Sequence, residues 1–244
     1  MKLQCYQLTS AGDREINQDA MAHIINDDYG LFIVADGLGG HQAGEKASRF
    51  LCQGMLGLAA EYRTKVRQHP VEAFSAWVDA AVDEMKRLFA GDSAANEAYT
   101  TCAILYIDER SVVTAHCGDS RIYRLNAERI VWRTKDHSIP QQLLEQGEIA
   151  EHEMGSHPEQ NQLTRSINVM KLYSAEVNLY PPANPGETFI LCSDGFWEYV
   201  KPSEFLELAQ PSSSKAELGK KARLAVLRAR GRSDNVTVQW VRCG

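Results

Sequence analysis

Four aspartates stand at the borders of short apolar runs, each beside a glycine or an asparagine. They are Asp36, Asp119, Asp194 and Asp234. One aspartate beside a glycine after a strand is a common turn. Four of them carry more information, because converging strand ends would bring several carboxylates close together. Carboxylates packed in this way cannot all stay ionised unless cations neutralise them.

These residue types limit the chemistry. Hard oxygen ligands without histidine or cysteine favour Mg²⁺ or Mn²⁺ over zinc. Gly37, which follows Asp36, has no side chain to keep its carbonyl away from a cation. Four carboxylates and two divalent cations sum to a charge of about zero, so a phosphate dianion could enter without repulsion. Two such ions would acidify a water, and an arginine fork would hold the phosphate. The pattern predicts metal-assisted phosphoester hydrolysis and leaves the substrate open.

The elements that must position these aspartates follow from apolar patterning. Runs rich in β-branched and aromatic residues predict strands at about 20–26, 30–35, 101–107, 111–117, 121–125, 172–178, 187–192 and 235–241. Helical spacing predicts helices at about 42–62, 70–89 and 214–230. Strands so close in sequence pair as hairpins, and helices between strand clusters favour an α+β layered sandwich with much antiparallel sheet. The polar stretch at about 138–171 is predicted to be a partly helical surface flap.

Composition narrows the class of protein. The 244 residues include 44% hydrophobic and 24% charged residues, as in ordinary soluble proteins. The apolar runs are too short to cross a bilayer, and the N-terminal residues are too polar for a signal peptide, so we expect a cytoplasmic protein. A net charge of −6 disfavours a nucleic-acid partner. Six scattered cysteines without a C-x-x-C pair argue against a zinc site and a disulfide framework.

Several motifs resemble those of the bacterial PP2C-type (PPM family) phosphatases. They occur in the family's order over nearly the whole chain, at Gly12–Asp19, Val34–Glu45, Gly118–Tyr123, Asp136–Ser138, Leu163–Arg165, Cys192–Trp197 and Asp234–Thr237. The resemblance implies one domain over residues 1–244, a four-layer α-β-β-α sandwich of two mostly antiparallel sheets flanked by helices. It also implies hydrolysis of phosphoserine and phosphothreonine in proteins by water activated at a binuclear Mn²⁺ or Mg²⁺ centre, opposing a serine/threonine kinase.

The resemblance also implies roles for the aspartates. Asp36 would bridge two ions, with the Gly37 carbonyl on one and Asp194 and Asp234 on the other. Asp119 would share a weaker third cation with Asp194. The alternative for Asp119 is a turn residue between two short strands.

Two further residues receive roles in the same way. Arg14 would hold the substrate phosphate. Asp19 would not bind a metal ion directly but would orient a metal-bound water. The partners implied are phosphoprotein substrates, including a kinase or its targets, acted on by a monomer.

The chain departs from the family pattern at two places. Leu38 stands where eukaryotic relatives have a histidine proposed as general acid, and leucine cannot transfer a proton. His41 is close in sequence, but it could equally be a loop residue beside the following helix, so the leaving-group acid stays open. Asn168 stands where the family usually has glycine. Since asparagine tolerates left-handed backbone, we expect the turn to survive.

Other functions fit less well. A cysteine-dependent phosphatase would use His116, Cys117 and Arg124, but six residues separate the cysteine from the arginine where five are required. Gly39 and Gly44 have the spacing of a nucleotide-binding loop, but Glu45 interrupts its ending. The alternative outside enzymes is a pseudophosphatase that binds phosphopeptides without turnover. Loss of a metal-binding aspartate would mark it, and all four are present.

Overall fold

The computed structural model describes residues 2–39 and 42–244, whose strands form two antiparallel sheets. The strands are β1 (Leu3–Ser10), β2 (Asp19–Ile25), β3 (Tyr29–Leu38), β4 (Tyr99–Thr100), β5 (Cys102–Asp108), β6 (Val112–Cys117), β7 (Arg121–Leu125), β8 (Ile130–Arg133), β9 (Ile167–Asn168), β10 (Glu176–Tyr180), β11 (Thr188–Cys192) and β12 (Val236–Cys243). The helices are α1 (Gln42–Gly57), α2 (Ala59–Gln68), α3 (Pro70–Leu88), α4 (Ile139–Gln146), α5 (Asp194–Trp197), α6 (Pro202–Ala209) and α7 (Lys215–Arg228), with 3₁₀ turns at Ser93–Asn96 and Glu151–Ser156.

The two sheets use the strands in different orders. The first has the order β1-β12-β11-β7-β8. The second has the order β10-β6-β5-β3-β4-β9, with β2 paired to β3. All the strand pairings among the described residues are antiparallel, as the short connections between predicted strands indicate.

Three buried apolar clusters show how the layers stack. Alternate residues of β3 face opposite ways, because successive side chains of a strand point to opposite faces. Leu31 packs with α1 and α3, whereas Phe32 packs with Phe189 of the other sheet. On the far side of the first sheet, Trp240 packs with Phe205 of α6. The order helices, sheet, sheet, helices confirms the predicted four-layer α-β-β-α sandwich.

Tertiary pairing determined the elements that local patterning missed or misplaced. β1, which was not predicted, pairs with β12 along its whole length, although glutamines and threonine interrupt its apolar pattern. The strand predicted at 172–178 lies instead at Glu176–Tyr180, where it pairs with β6. Leu172 is fully exposed, so its apolar character did not indicate a strand. β8 and α6 were also missed.

The first long helix is shorter than predicted. The helix expected at about 42–62 ends at Gly57, and α2 begins at Ala59. Glycine is the weakest ordinary helix former, which accounts for the break at this point. The helices predicted at about 70–89 and 214–230 are α3 and α7.

The segment predicted as a flap at about 138–171 is partly helical. Ser138 caps α4 by accepting a hydrogen bond from the Gln141 backbone N–H, and Gly147 ends it in a left-handed conformation with φ of 76°. The expectation for Asn168 was wrong, because this residue lies in β9 and not in a left-handed turn. Its side chain amide donates to backbone carbonyls that include Ala98 at 3.0 Å, which a glycine could not do. Within the described ranges, no helix is long and apolar enough to span a bilayer.

Candidate metal centre

The predicted aspartates meet in one cleft at an edge of the two sheets. Asp36 lies near the end of β3, Asp119 in the turn after β6, Asp194 at the start of α5 and Asp234 just before β12. The cleft has a volume of about 350 Å³ and is lined by Arg14, Glu15, Ile16, Gln18, Asp36, Gly37, Leu38, Gly39, Asp119, Asn161, Leu163, Asp194, Asp234 and Asn235. The structure therefore brings together all four aspartates with Gly37 and Arg14.

The backbone of Gly37 packs closely against α1. A side chain at Gly37 would collide with the backbone of Gly44, and one at Gly44 would meet the carbonyl of Gly37. The two glycines allow α1 to approach β3 at the point where Asp36 enters the cleft. Glycine is thus required at position 37 by packing as well as by any role of its carbonyl.

The carboxyl groups of the cleft repel one another. Burial raises the pKa of Asp36 well above its usual range, and the neighbouring Asp19, Asp119 and Asp234 raise it further. The pKa of Asp194 is raised well above its usual range by burial and then by Asp36 and Asp119. Burial, followed by the charge of Asp136, raises the pKa of Asp119 to about 7. Divalent cations would remove this repulsion, so the set of carboxylate oxygens fits them.

Asp19 lies behind the cleft, directly opposite Asp36 in the β2–β3 pairing. The Ser193 hydroxyl donates to Asp19 Oδ2 at 2.7 Å. Asp19 Oδ1 is buried without a hydrogen-bond partner among the described residues. Burial raises the Asp19 pKa to about 6. This unpartnered buried oxygen of Asp19, beside Asp36, fits the predicted role of orienting a metal-bound water.

The turn that carries Asp119 is held from two sides. The Trp197 indole N–H donates to the Asp119 carbonyl at 2.9 Å. The ring of His137 accepts from the Gly118 N–H at 3.2 Å. Arg121, which follows closely in sequence, makes its ion pair with Asp136 at 2.6 Å.

Arg14 lies at the rim of the cleft and is already paired. Its Nε and Nη2 donate to the two carboxylate oxygens of Asp234 at 3.1 and 2.8 Å. The side chains are 60% and 38% exposed, and exposed pairs of this kind contribute only about 0–1 kcal/mol. The pair can therefore open at little cost if Asp234 takes a cation and Arg14 takes a phosphate.

Comparison with known proteins identifies the family. The family model for protein phosphatase 2C matches residues 10–227, which is most of the chain. The chain belongs to the protein phosphatase 2C family. This confirms the resemblance read from the motifs, and it identifies the activity class as protein serine/threonine phosphatase.

Curated relatives and solved structures agree with this assignment. The serine/threonine phosphatase stp of Listeria innocua is 32% identical over 86% of this chain and 83% of that protein. The protein phosphatase PhpP of Streptococcus pneumoniae is 30% identical over 96% and 95% of the two chains. The crystal structure of the Mycobacterium tuberculosis serine/threonine phosphatase PstP/Ppp superposes with a TM-score of 0.82 at 25% identity, covering 99% of this chain and 98% of that one. Another structure of the PstP catalytic domain, with a TM-score of 0.78 and 24% identity over 98% of this chain and 97% of that one, contains two manganese ions.

The cysteine alternative does not fit this PP2C-family structure. Cys117 is fully buried at the end of β6, and burial raises its pKa to about 12, so its thiol is not activated. The Arg124 guanidinium is bound to Glu187 at 2.6 Å and to two proline carbonyls. Neither side chain lines the cleft.

Two residues were missed from the sequence: Asn235, which lines the PP2C-type cleft, and Glu198, which does not line it but interacts electrostatically with Asp119 and Asp234. Asn235 holds the loop that carries Arg14, since its side chain donates to the carbonyls of Ala11 and Ile16, each at 3.0 Å. Glu198 lies four residues after Asp194, a spacing that places two side chains on one helix face and could have indicated it. Burial, followed by Asp119 and Asp234, raises the Glu198 pKa to about 8.

The two positions considered for the leaving-group acid have different outcomes. Leu38 lines the cleft, so an apolar side chain stands there. His41 lies outside the described residues.

Proposed function

We propose that this chain hydrolyses phosphoserine and phosphothreonine in proteins at a centre of two Mn²⁺ or Mg²⁺ ions, opposing a serine/threonine kinase. The observation that carries the proposal is the cleft in which four carboxylates meet, where burial and the neighbouring carboxylates raise the pKa values of Asp36 and Asp194 well above their usual range. Membership of the PP2C family supplies the class of substrate.

The donor set fits hard divalent cations. Asp36 would bridge the two core ions, with the Gly37 carbonyl on one and with Asp194 and Asp234 on the other. Asp119 would share a weaker third ion with Asp194, because a site with only two protein carboxylates leaves the ion most of its waters. When bound, the ions would lower the pKa of a water and stabilise the charge on the phosphoryl oxygens.

The remaining roles belong to residues of the chain itself. Arg14 would leave Asp234 and hold the phosphate with its two-pronged guanidinium. Asp19, fixed by the Ser193 hydroxyl, would orient a metal-bound water by accepting its hydrogen bond through the unpartnered Oδ1. Leu38 would keep an apolar wall beside the phosphate and take no part in proton transfer.

The proposal also covers the setting of the enzyme. We propose a single catalytic domain that acts as a monomer in the cytoplasm, with phosphoproteins, including a kinase or its targets, as partners. The net charge of −6 gives no support to a nucleic-acid partner.

A phosphate-release assay tests the proposal. Purified protein is incubated with a panel of phosphoserine, phosphothreonine and phosphotyrosine peptides in Mn²⁺, in Mg²⁺ and in EDTA. We expect release from the first two classes with metal and none with EDTA. A pseudophosphatase would bind the peptides and release no phosphate under any metal condition, which would overturn the proposal.

A further inference from the structure

The Asp136–Ser138 motif lies outside the cleft and behind the turn that carries Asp119. His137 contacts Gly118 twice: its backbone N–H donates to the Gly118 carbonyl at 2.8 Å, and its ring Nδ1 accepts from the Gly118 N–H at 3.2 Å. One residue therefore binds both backbone polar groups of the glycine that precedes Asp119.

The ring of His137 is itself held in place. It stacks on the ring of His116, with 4.7 Å between centroids and 5° between planes. Because Nδ1 accepts a hydrogen bond from Gly118, we assign the proton of the neutral ring to Nε2, which lies 3.5 Å from a carboxylate oxygen of Glu176. With this tautomer the Arg165 guanidinium, 3.3 Å from Nε2, is a charged neighbour of the ring and not a hydrogen-bond donor to it. Burial and the neighbouring His116 lower the pKa of His137 to about 4, so the ring is neutral near pH 7 and keeps its acceptor.

The conformation of the Gly118–Asp119 turn depends on hydrogen bonds from outside the turn. Gly118 has φ of 98°, a conformation that side chains rarely adopt, and a Cβ there would lie 2.6 Å from the Thr101 side chain. Glycine adopts this conformation at a large cost in backbone entropy, so external hydrogen bonds must fix it. The Trp197 indole fixes the far side of the turn at the Asp119 carbonyl.

His116, His137 and Glu176 form a cluster whose possible ligand atoms lie within 4.8 Å of one another. This cluster does not have the geometry of a transition-metal site. The lone pair of His137 Nδ1 is occupied by Gly118, so Nε2 carries the proton. The two parallel rings direct their in-plane lone pairs into separate planes. The Arg165 guanidinium lies 3.3 Å from Nε2 and would repel a cation.

We propose that His137 is a positioning residue, which fixes the Gly118–Asp119 turn and thereby sets the affinity of the cation held by Asp119. The inference rests on the proposed function, since it takes Asp119 as a ligand of the weaker third ion. A site with two carboxylates has few protein contacts, so small displacements of one carboxylate change its affinity strongly. The residues proposed to hold the two core ions, Asp36, Gly37, Asp194 and Asp234, lie outside this turn.

Two substitutions separate the acceptor from the bulk of the ring. In His137→Asn the side-chain oxygen stands near the place of Nδ1 and can still accept from Gly118. In His137→Gln the amide stands near the place of Nε2, and the acceptor at Nδ1 is lost. Both remove the ring that stacks on His116. His152→Gln, at an exposed histidine of the 3₁₀ turn Glu151–Ser156, is the matched control.

The readout is binding of Mn²⁺ to each full-length protein, followed by electron paramagnetic resonance of the free ion. We expect a tight and a weak class of sites in the parent, in His137→Asn and in His152→Gln. In His137→Gln the tight class should persist, and the dissociation constant of the weak class should rise about three- to tenfold, as for the loss of one hydrogen bond. In His137→Gln, the Mn²⁺ concentration that gives half-maximal phosphate release should rise by the same factor. The rate at saturating Mn²⁺ should stay close to that of the parent.

Glu176→Ala gives a second test that leaves the buried ring intact. Its side chain is 45% exposed, so folding should not depend on it. We expect a smaller shift of the weak class in the same direction, because the ring loses the acceptor for Nε2–H. Circular dichroism of the metal-free proteins checks the fold.

Several results would overturn the inference. These are a parent without a weak class, a folded His137→Gln protein whose binding curve superimposes on the parent's, equal losses in the Asn and Gln variants, or an unshifted curve for Glu176→Ala. Tight Co²⁺ binding with the visible absorption of nitrogen ligands, abolished by His116→Gln, would indicate a metal site instead. If the Mn²⁺ difference between the Asn and Gln variants appears while the parent releases no phosphate, the positioning role stands and the proposed function fails.

Discussion

Two buried groups of charged side chains flank the Asp119 turn, and they are built in opposite ways. On one side, the Arg121 guanidinium donates to both oxygens of Asp136 at 2.8 and 2.6 Å and lies 3.3 Å from the centre of the Trp197 ring system. On the other side, the cleft gathers Asp36 and Asp194 with further carboxylates. Among the described residues that line the cleft, Arg14 at the rim is the only cation.

The Arg121–Asp136 pair is compensated within the protein and stabilises the fold. Asp36 and Asp194 of the cleft have no such compensation from the described residues. A buried charge is tolerated when a partner and hydrogen bonds compensate its desolvation. Removing one member of the pair leaves the other charge buried without compensation, at the full cost of its desolvation. Uncompensated carboxylates instead take up protons, and this is why their pKa values rise. Groups with such shifts in a cleft are typical of functional sites.

Neutralising one carboxylate of the cleft should have the largest effect on activity. We expect Asp194→Asn to lower the rate of phosphate release by roughly 10³-fold, because it removes a ligand and a charge from the site. The metal-free protein should be as stable as the parent or more stable, since the mutation relieves repulsion. Asp83→Asn, the same change at an exposed position of α3, is the control and should alter neither quantity. Activity of Asp194→Asn within tenfold of the parent's would contradict this prediction.

Neutralising Asp136, the partner of Arg121, should have the opposite effect on stability. Asp136→Asn leaves the buried Arg121 guanidinium uncompensated and should lower the free energy of unfolding by about 3–5 kcal/mol. Urea unfolding of the metal-free proteins measures this. The double variant Arg121→Met/Asp136→Leu removes both charges and should recover part of the loss. Equal stability of Asp136→Asn and the parent would mean that the pair does not hold the fold.

The pH dependence of stability should distinguish the same two regions. Folding raises the pKa of Asp19 to about 6, of Asp119 to about 7 and of Glu198 to about 8, and it raises those of Asp36 and Asp194 as well. Unfolded carboxyls titrate near pH 4, so the folded state binds more protons between about pH 4 and 8. Stability from these groups is present at low pH and is lost as pH rises through the folded pKa values.

Urea midpoints in EDTA at pH 5.5 and pH 8 test this sign. We expect the midpoint to be higher at pH 5.5, and Mn²⁺ to raise the midpoint mainly at pH 8, where it competes with fewer protons. A metal-free protein that is more stable at pH 8 would mean that the carboxylates are not repelling one another.

The smallest effect is expected at Cys117, which belongs to neither region. Cys117→Ser should keep the rate of phosphate release within about twofold, with a loss of about 1–3 kcal/mol in stability from a buried hydroxyl. The measurement is the rate at saturating Mn²⁺ with and without EDTA. A folded Cys117→Ser protein without activity, together with a parent insensitive to EDTA, would point to a cysteine nucleophile.

The sequence was sufficient for the residues whose role depends on a local pattern. Each aspartate of the cleft borders an apolar run, and the strands of the sandwich interior are buried on both faces, so their runs are nearly continuous. Elements stabilised by distant partners had weaker local signals. β1 depends on β12 at the other end of the chain, and the pairing of Arg14 with Asp234 joins residues 220 positions apart.

Departures from the family pattern were harder to interpret. Asn168 was expected to preserve a left-handed turn, but its amide binds the backbone at Ala98 in a short strand pairing. Glu198 depends on a single helical turn after Asp194, which was too short to be predicted. The role of Asn168 is determined by packing in three dimensions, whereas Glu198 could be found only by extending a helical turn beyond Asp194.

The number of Mn²⁺ ions bound by the parent and by Asp36→Asn tests the central claim most directly. If the repelling carboxylates form a cation centre, the parent should bind at least two ions tightly near pH 7.5. Asp36→Asn should remain folded and lose the tight class, because the bridging charge is gone. Equal stoichiometry and affinity in the two proteins would contradict the account, since the cleft would then hold its carboxylates for some purpose other than binding metal.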